Sequence, residues 1–256
     1  LIRVIIRIRF NSKYIYIYIM TLELNDKNSW DKLWEKWLTK YNSGAPRFSY
    51  YMHIILNILN CNKIYKIHEF GCGSGRNVIN MKNLGWNITG SDFSEYAISN
   101  INSDYKQLFK QLDYLSDENT EKYDITSHDG FFIYFPDNKW YSLIDKQLSL
   151  TNKYAFIGIH NFQNKTLMKR FNELKTKDKL YDITWFDHNK IINYIKEKYS
   201  YEVKLFYMGY MENMDSIIKQ MYNTQFKPEI INYYKKLMIK TPIEKIEKLI
   251  ICVIKK

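Results

Sequence analysis

The sequence predicts an α/β fold with a mostly parallel sheet, and three observations lead there. Strand-like and helix-like patterns alternate from residue 64 to the C-terminus. A glycine cluster falls directly between one of those strands and the helix after it. The chain has 256 residues, 46% hydrophobic and 25% charged, which suits one domain with additions or two small domains. A chain of that length hides about three quarters of its surface on folding.

The elements follow in order. Residues 1–19 alternate Ile with Arg and then with Tyr, a strand-like period, with Asn11 to Lys13 as a hairpin turn. They read as an extension outside the folded domain, the sharper readings being an edge hairpin or a basic membrane-surface strand. Met20 opens an ordinary-looking sequence. Residues 20–60 form an N-terminal helical cap. Trp30, Leu33, Trp34 and Trp37 recur at three- and four-residue spacing behind a Ser29 cap, a stripe read as packing rather than a binding box. Asn42 to Pro46 carry turn chemistry, and a second helix runs through Tyr50, Ile54, Ile55 and Ile58. Strands are expected at 64–70, 87–91, 107–112, 123–127, 154–159, 201–207 and 249–254. Helices are expected at 77–84, 94–101, 139–150, 165–174 and 189–198, with Ser94 and Asp187 as caps. An insertion of about residues 210–247 separates the last two strands.

The net charge is 38 minus 27, or +11. Residues 1–19 contribute +4 and residues 227–256 contribute +5, leaving about +2 for the long middle. A basic excess at the two ends, in a chain rich in Lys, Asn, Ile and Tyr, fits AT-rich coding better than a nucleic-acid footprint. No run of ~18 apolar residues is present, and residues 1–19 lack the core and cleavage site of a signal peptide. Cys61, Cys72 and Cys252 form neither a disulfide framework nor a metal spacing, which suits a reducing, cytosolic setting with no metal.

The chemistry concentrates between Ile67 and Asn77. Gly71, Gly73 and Gly75 are three of the nine glycines, within five residues. Without Cβ atoms the backbone can turn sharply and approach a ligand, and the next helix turns its N–H groups toward it. The spacing G-x-G-x-G is not the G-x-G-x-x-G of a dinucleotide site. Glu69 ends the strand before the loop, where an acid suits a cationic ligand group. Asp92 ends the next strand, 17 residues after Gly75, where a carboxylate accepts both hydroxyls of a ribose.

Glu69 to Asn77 followed by Gly90 to Ile98 resembles the cofactor half of class I S-adenosylmethionine-dependent methyltransferases, from Ile64 to Ile159 and more loosely beyond. The resemblance implies a Rossmann-like, doubly wound seven-stranded sheet, mostly parallel with an antiparallel last strand and helices on both faces. It makes residues 61–256 the methyltransferase domain, with S-adenosylmethionine as cofactor. It implies that Glu69 faces the methionine amino group and that Gly71, Cys72, Gly73 and Gly75 form the floor. It also implies that Asp92 binds the ribose, Phe93 packs on the adenine, and Asp113 and Tyr114 hold the adenine edge. Ser127 and His128 match the fourth-strand position beside the methyl group.

An oxygen nucleophile benefits from a base, and His128 or His160 is the expected one, with Asp129 a weaker candidate. Arg47, Tyr50 and Tyr51 are the expected substrate contacts. The acceptor is expected to be a small molecule or sugar-like metabolite, methylated on oxygen or nitrogen. After the fourth strand stands Ser127-His128-Asp129-Gly130-Phe131-Phe132, without the prolines and amide that hold a flipped base, which argues against DNA. Phe131, Phe132, Tyr134 and Phe135 either wall a pocket or fill the core. The rival readings are an RNA methyltransferase, a nicotinamide-dependent protein and a non-catalytic binding module. C-terminal lysines lining the pocket mouth would favour RNA.

Overall fold

The computed structural model describes residues 6–10, 13–17, 27–116, 120–210 and 228–255. Strands β1 (Ile6–Phe10) and β2 (Lys13–Ile17) pair antiparallel, Phe10 opposite Lys13, as a two-stranded sheet of their own. Helices α1 (Lys27–Ser43) and α2 (Arg47–Ile58) follow. The alternating region then runs β3 (Ile67–Phe70), α3 (Arg76–Asn83), β4 (Ile88–Asp92), α4 (Glu95–Ser99) and β5 (Phe109–Gln111). It continues through β6 (Tyr123–Asp129), α5 (Trp140–Ser149), β7 (Thr151–His160), α6 (Lys165–Leu174) and α7 (His188–Tyr199). The chain closes with β8 (Glu202–Tyr210), α8 (Pro228–Lys240) and β9 (Ile246–Ile254).

Seven strands form one sheet in the order β5-β4-β3-β6-β7-β9-β8. Strands β3 to β7 pair in parallel, and β9 inserts antiparallel between β7 and β8. The chain starts in the middle of the sheet, winds outward to β5, returns to β6 and winds the other way. That reversal, between β3 and β6, is where open α/β sheets bind ligands at their C-terminal strand ends.

Alternation along the buried strands divides the core between two faces. Phe156, Ile250 and Cys252 join one cluster with Phe48, Leu56, Val78 and Trp86. Ala155, Ile157, Leu249, Ile251 and Val253 join the other, with Leu143, Ile144, Ile191 and Ile195 from α5 and α7. Successive side chains of a strand point to opposite faces, so a sheet apolar on both needs helices on both.

The expected strands and helices of the alternating region form, with ends shifted by a few residues. Ser94 caps α4 by accepting from the Ala97 N–H, and Asp187 caps α7 by accepting from Asn189. Ser29 is no cap: α1 begins two residues earlier and takes it into its first turn. Helix α2 buries every residue from Phe48 to Leu56 and packs on α3, β8 and α8. It is a core helix, so its tyrosines answer to packing rather than to a ligand. Residues 211–227 of the expected insertion, and the expected turn residues Asn11 and Ser12, lie outside the described residues. Among the described residues no helix is long and apolar enough to cross a membrane. Cys61, Cys72 and Cys252 are all free.

Candidate functional site

A cavity of about 340 Å³ opens at the C-terminal ends of β3, β4, β5 and β6, under α1. Its floor is the loop from β3 into α3. Gly71 and Gly73 hold φ of +61° and +54°, a region side chains rarely enter, and both are closely covered. A Cβ on Gly71 would come within 2.7 Å of the Phe131 ring, and one on Gly73 within 2.2 Å of Trp34. Cys72 is tied down by its N–H, which donates to the Ser91 carbonyl at 2.9 Å. The Cys72 side chain packs in the core cluster of that face.

Among the described residues four carboxyl groups line the cavity. Asp92 accepts from the Gly73 N–H at 2.7 Å and the Ser94 N–H at 2.9 Å, so the strand end, the loop and the α4 cap share one carboxylate. Burial pushes its pKa up to about 6 against those donors. Glu69 is 2% exposed, and burial pushes it to about 8, although the Asn77 amide donates to it at 3.1 Å. Asp129 is also pushed up by burial, but Lys248, whose ammonium donates to it at 2.6 Å, holds it below the usual carboxylate range. Asp113 sits two residues past β5 and accepts from the Leu115 N–H and the Ser116 hydroxyl.

Helix α1 is the roof, presenting Trp30, Leu33, Trp34 and Trp37 to the cavity. Asp31 docks it, accepting from the Ser94 hydroxyl and the Tyr96 N–H at the start of α4. Lys27 pairs with Glu95 beside that contact, and Lys36 pairs with Asp178 at the other end. The wall past β6 is Phe131, Tyr134 and Phe135, joined by Leu180.

The cavity therefore gathers Glu69, Gly71, Cys72, Gly73, Asp92, Phe93, Asp113 and Tyr114 from the expected cofactor set. Gly75 stands behind them as the left-handed cap of α3, against Phe109 and Ile101. Ser127 is buried in β6 with its hydroxyl unpartnered, and is not part of the lining.

The expected bases and substrate contacts lie elsewhere. Asp129 reaches the cavity, so its neighbour His128 points the opposite way, against Phe132 at 4.0 Å between ring centres. His160 packs on Phe171 and Trp185. Burial lowers both imidazoles to about 3. Arg47 is bonded to Glu247 at 2.8 Å, and Tyr50 and Tyr51 are core residues. The tryptophan stripe, expected as packing, lines the site instead. Its spacing was visible in the sequence, but what lay beneath it was not. Asp31, Arg76 and Leu180 carried no sequence signal. Among the described residues no lysine lines the cavity. Among the described residues no three His, Cys, Asp or Glu side chains gather as a metal site.

The sheet order and the inserted antiparallel strand are those of the class I, Rossmann-like methyltransferase fold. Within the chain, residues 37–130 match the family model described as tellurite resistance protein TehB. That match covers the second half of α1, α2, the glycine loop and the strands up to β6. Among solved structures, magnesium protoporphyrin IX methyltransferase from Synechocystis PCC 6803 with bound S-adenosylhomocysteine aligns at a TM-score of 0.61. It is 12% identical over 90% of this chain and 100% of its own. A S-adenosylmethionine-dependent methyltransferase from Archaeoglobus fulgidus aligns at 0.51, 14% identical over 90% and 95%. The plantazolicin methyltransferase BpumL aligns at 0.54, 16% identical over 90% and 95%. These likenesses are of fold. No curated protein sequence matches the chain.

The residues present fit S-adenosylmethionine. The glycine cradle admits no Cβ, and the acids suit its ammonium, ribose and adenine amino groups.

Proposed function

We propose that the chain methylates a small-molecule acceptor on oxygen or nitrogen, with the cofactor on the glycine floor and the acceptor between α1 and the wall past β6. The observation that carries this reading is the shared carboxylate of Asp92, held by the loop and the α4 cap together. Its second lone pairs are left for two adjacent hydroxyls. S-adenosylmethionine, when bound, supplies a methyl group on a positively charged sulfur.

The chain's own residues do the rest by position. Glu69 holds the amino group, and Asp113 accepts from the adenine amino group with Phe93 and Tyr114 beside the ring. Asp129, kept ionised by Lys248, stands at the opposite end from Asp113. It accepts a hydrogen bond from an acceptor O–H or N–H and so orients the nucleophile. Alignment supplies much of the acceleration in such a site. With His128 and His160 turned away, no imidazole takes part. The absence of lysine among the described lining residues supports a small molecule over RNA, and the free cysteines fit a reducing, cytoplasmic setting.

Isothermal titration with S-adenosylmethionine, S-adenosylhomocysteine and NADH tests the reading. Saturable binding of the first two, lost in Asp92→Ala and absent for NADH, is expected. Unchanged affinity in Asp92→Ala would overturn the role of that carboxylate.

A further inference from the structure

The acceptor side of the cavity has a chemistry of its own. Trp30 of the roof meets Tyr134 of the wall edge to face, with ring centres 5.0 Å apart. Phe131 and Phe135 make a second such contact at 5.3 Å. Leu33 and Leu180 complete the apolar surface. Aromatic rings fixed against one another along one side of a cavity favour a flat apolar guest laid on them.

Charge narrows the choice. Among the described lining residues Arg76 is the one cation, and it lies within electrostatic reach of both Glu69 and Asp129. Lys248 is spent on Asp129. An anionic acceptor would meet more carboxyl groups than cations. A cationic acceptor would share the cavity with Arg76, and Asp129, the carboxylate on its side, is already paired with Lys248. Burying either charge without a partner is costly.

We infer that the acceptor is an uncharged, flat aromatic molecule held against Trp30 of α1 and Tyr134 of the wall past β6. This deepens the proposed function and rests on it.

The test is binding to the intact protein saturated with S-adenosylhomocysteine, so that only the acceptor side is open. Three matched probes are titrated and followed by calorimetry: 2-naphthol, 6-hydroxy-2-naphthalenesulfonate and 2-naphthylmethylamine. The expected result is saturable binding of 2-naphthol, with both charged probes at least tenfold weaker. Trp30→Ala should weaken 2-naphthol at least tenfold, and Trp30→Phe should restore most of it. Equal or tighter binding of either charged probe overturns the inference. So does failure of 2-naphthol to bind while S-adenosylhomocysteine binds, or unchanged affinity in Trp30→Ala. Failure of S-adenosylhomocysteine itself is seen first and separately, and overturns the cofactor reading instead.

Discussion

Cofactor binding should strengthen as pH rises from about 6 to about 8, and Glu69 is the reason. Its carboxyl is buried under the loop and pushed to about 8, with one amide donor from Asn77 to oppose the burial. The free protein therefore keeps the proton at neutral pH. An ammonium group placed against it expels that proton, so binding gains as the proton becomes easier to lose. The ionised fraction is about one in a hundred at pH 6, about one in ten at pH 7 and about one half at pH 8. Apparent affinity scales with that fraction and rises about fiftyfold across the window. Asp92, pushed to about 6, adds about a factor of two in the same direction. Asp129 is held low and adds nothing to the slope. The assay is calorimetry with S-adenosylhomocysteine from pH 6 to 8, in buffers of different ionisation heat. Close to one proton should leave per ligand bound near pH 7. Glu69→Gln should bind more weakly at pH 8 and lose most of the slope. A flat wild-type profile, or an undiminished slope in Glu69→Gln, would refute the argument.

The remaining predictions concern the floor, the roof and the discarded base. Gly73→Ala adds a Cβ 2.2 Å from Trp34 at a φ of +54°, so it should abolish measurable S-adenosylhomocysteine binding while circular dichroism stays that of a folded protein. Asp31→Ala removes an acceptor from the start of α4 and one anchor of α1. A loss of about 0.5–2 kcal/mol in stability is expected, with faster S-adenosylhomocysteine release in stopped flow; unchanged release would show that α1 is held without it. Binding at the floor must displace the Trp34 indole, so tryptophan fluorescence should change on adding S-adenosylhomocysteine and the change should shrink in Trp34→Phe. His128→Ala should leave cofactor affinity within about twofold, because its ring lies outside the cavity, while lowering the melting temperature through a core void. A tenfold loss of affinity with the melting temperature unchanged would return His128 to the site.

The sequence alone determined the parts whose causes are local. Period and caps set the strands and helices of the alternating region, because an apolar face and a Ser94 or Asp187 side chain act within a few residues. The glycine loop and its two acids were legible for the same reason: a tight turn between strand and helix leaves few residue choices, and Asp92 lies one strand away. The contents of the cavity above that floor depend on contacts across the chain. Trp34 and Gly73 are 39 positions apart, and only docking turned an apolar stripe into a roof. Asp31 looked like any surface acid until α4 came beside it. Strand alternation is a two-way choice, and the neighbouring sheet decided that Asp129 faces the cavity and His128 the core. Arg47, Tyr50 and Tyr51 read as substrate contacts because polar and aromatic residues serve ligands and cores alike. Which they serve is set by what packs on them, and for α2 that is β8, α3 and α8.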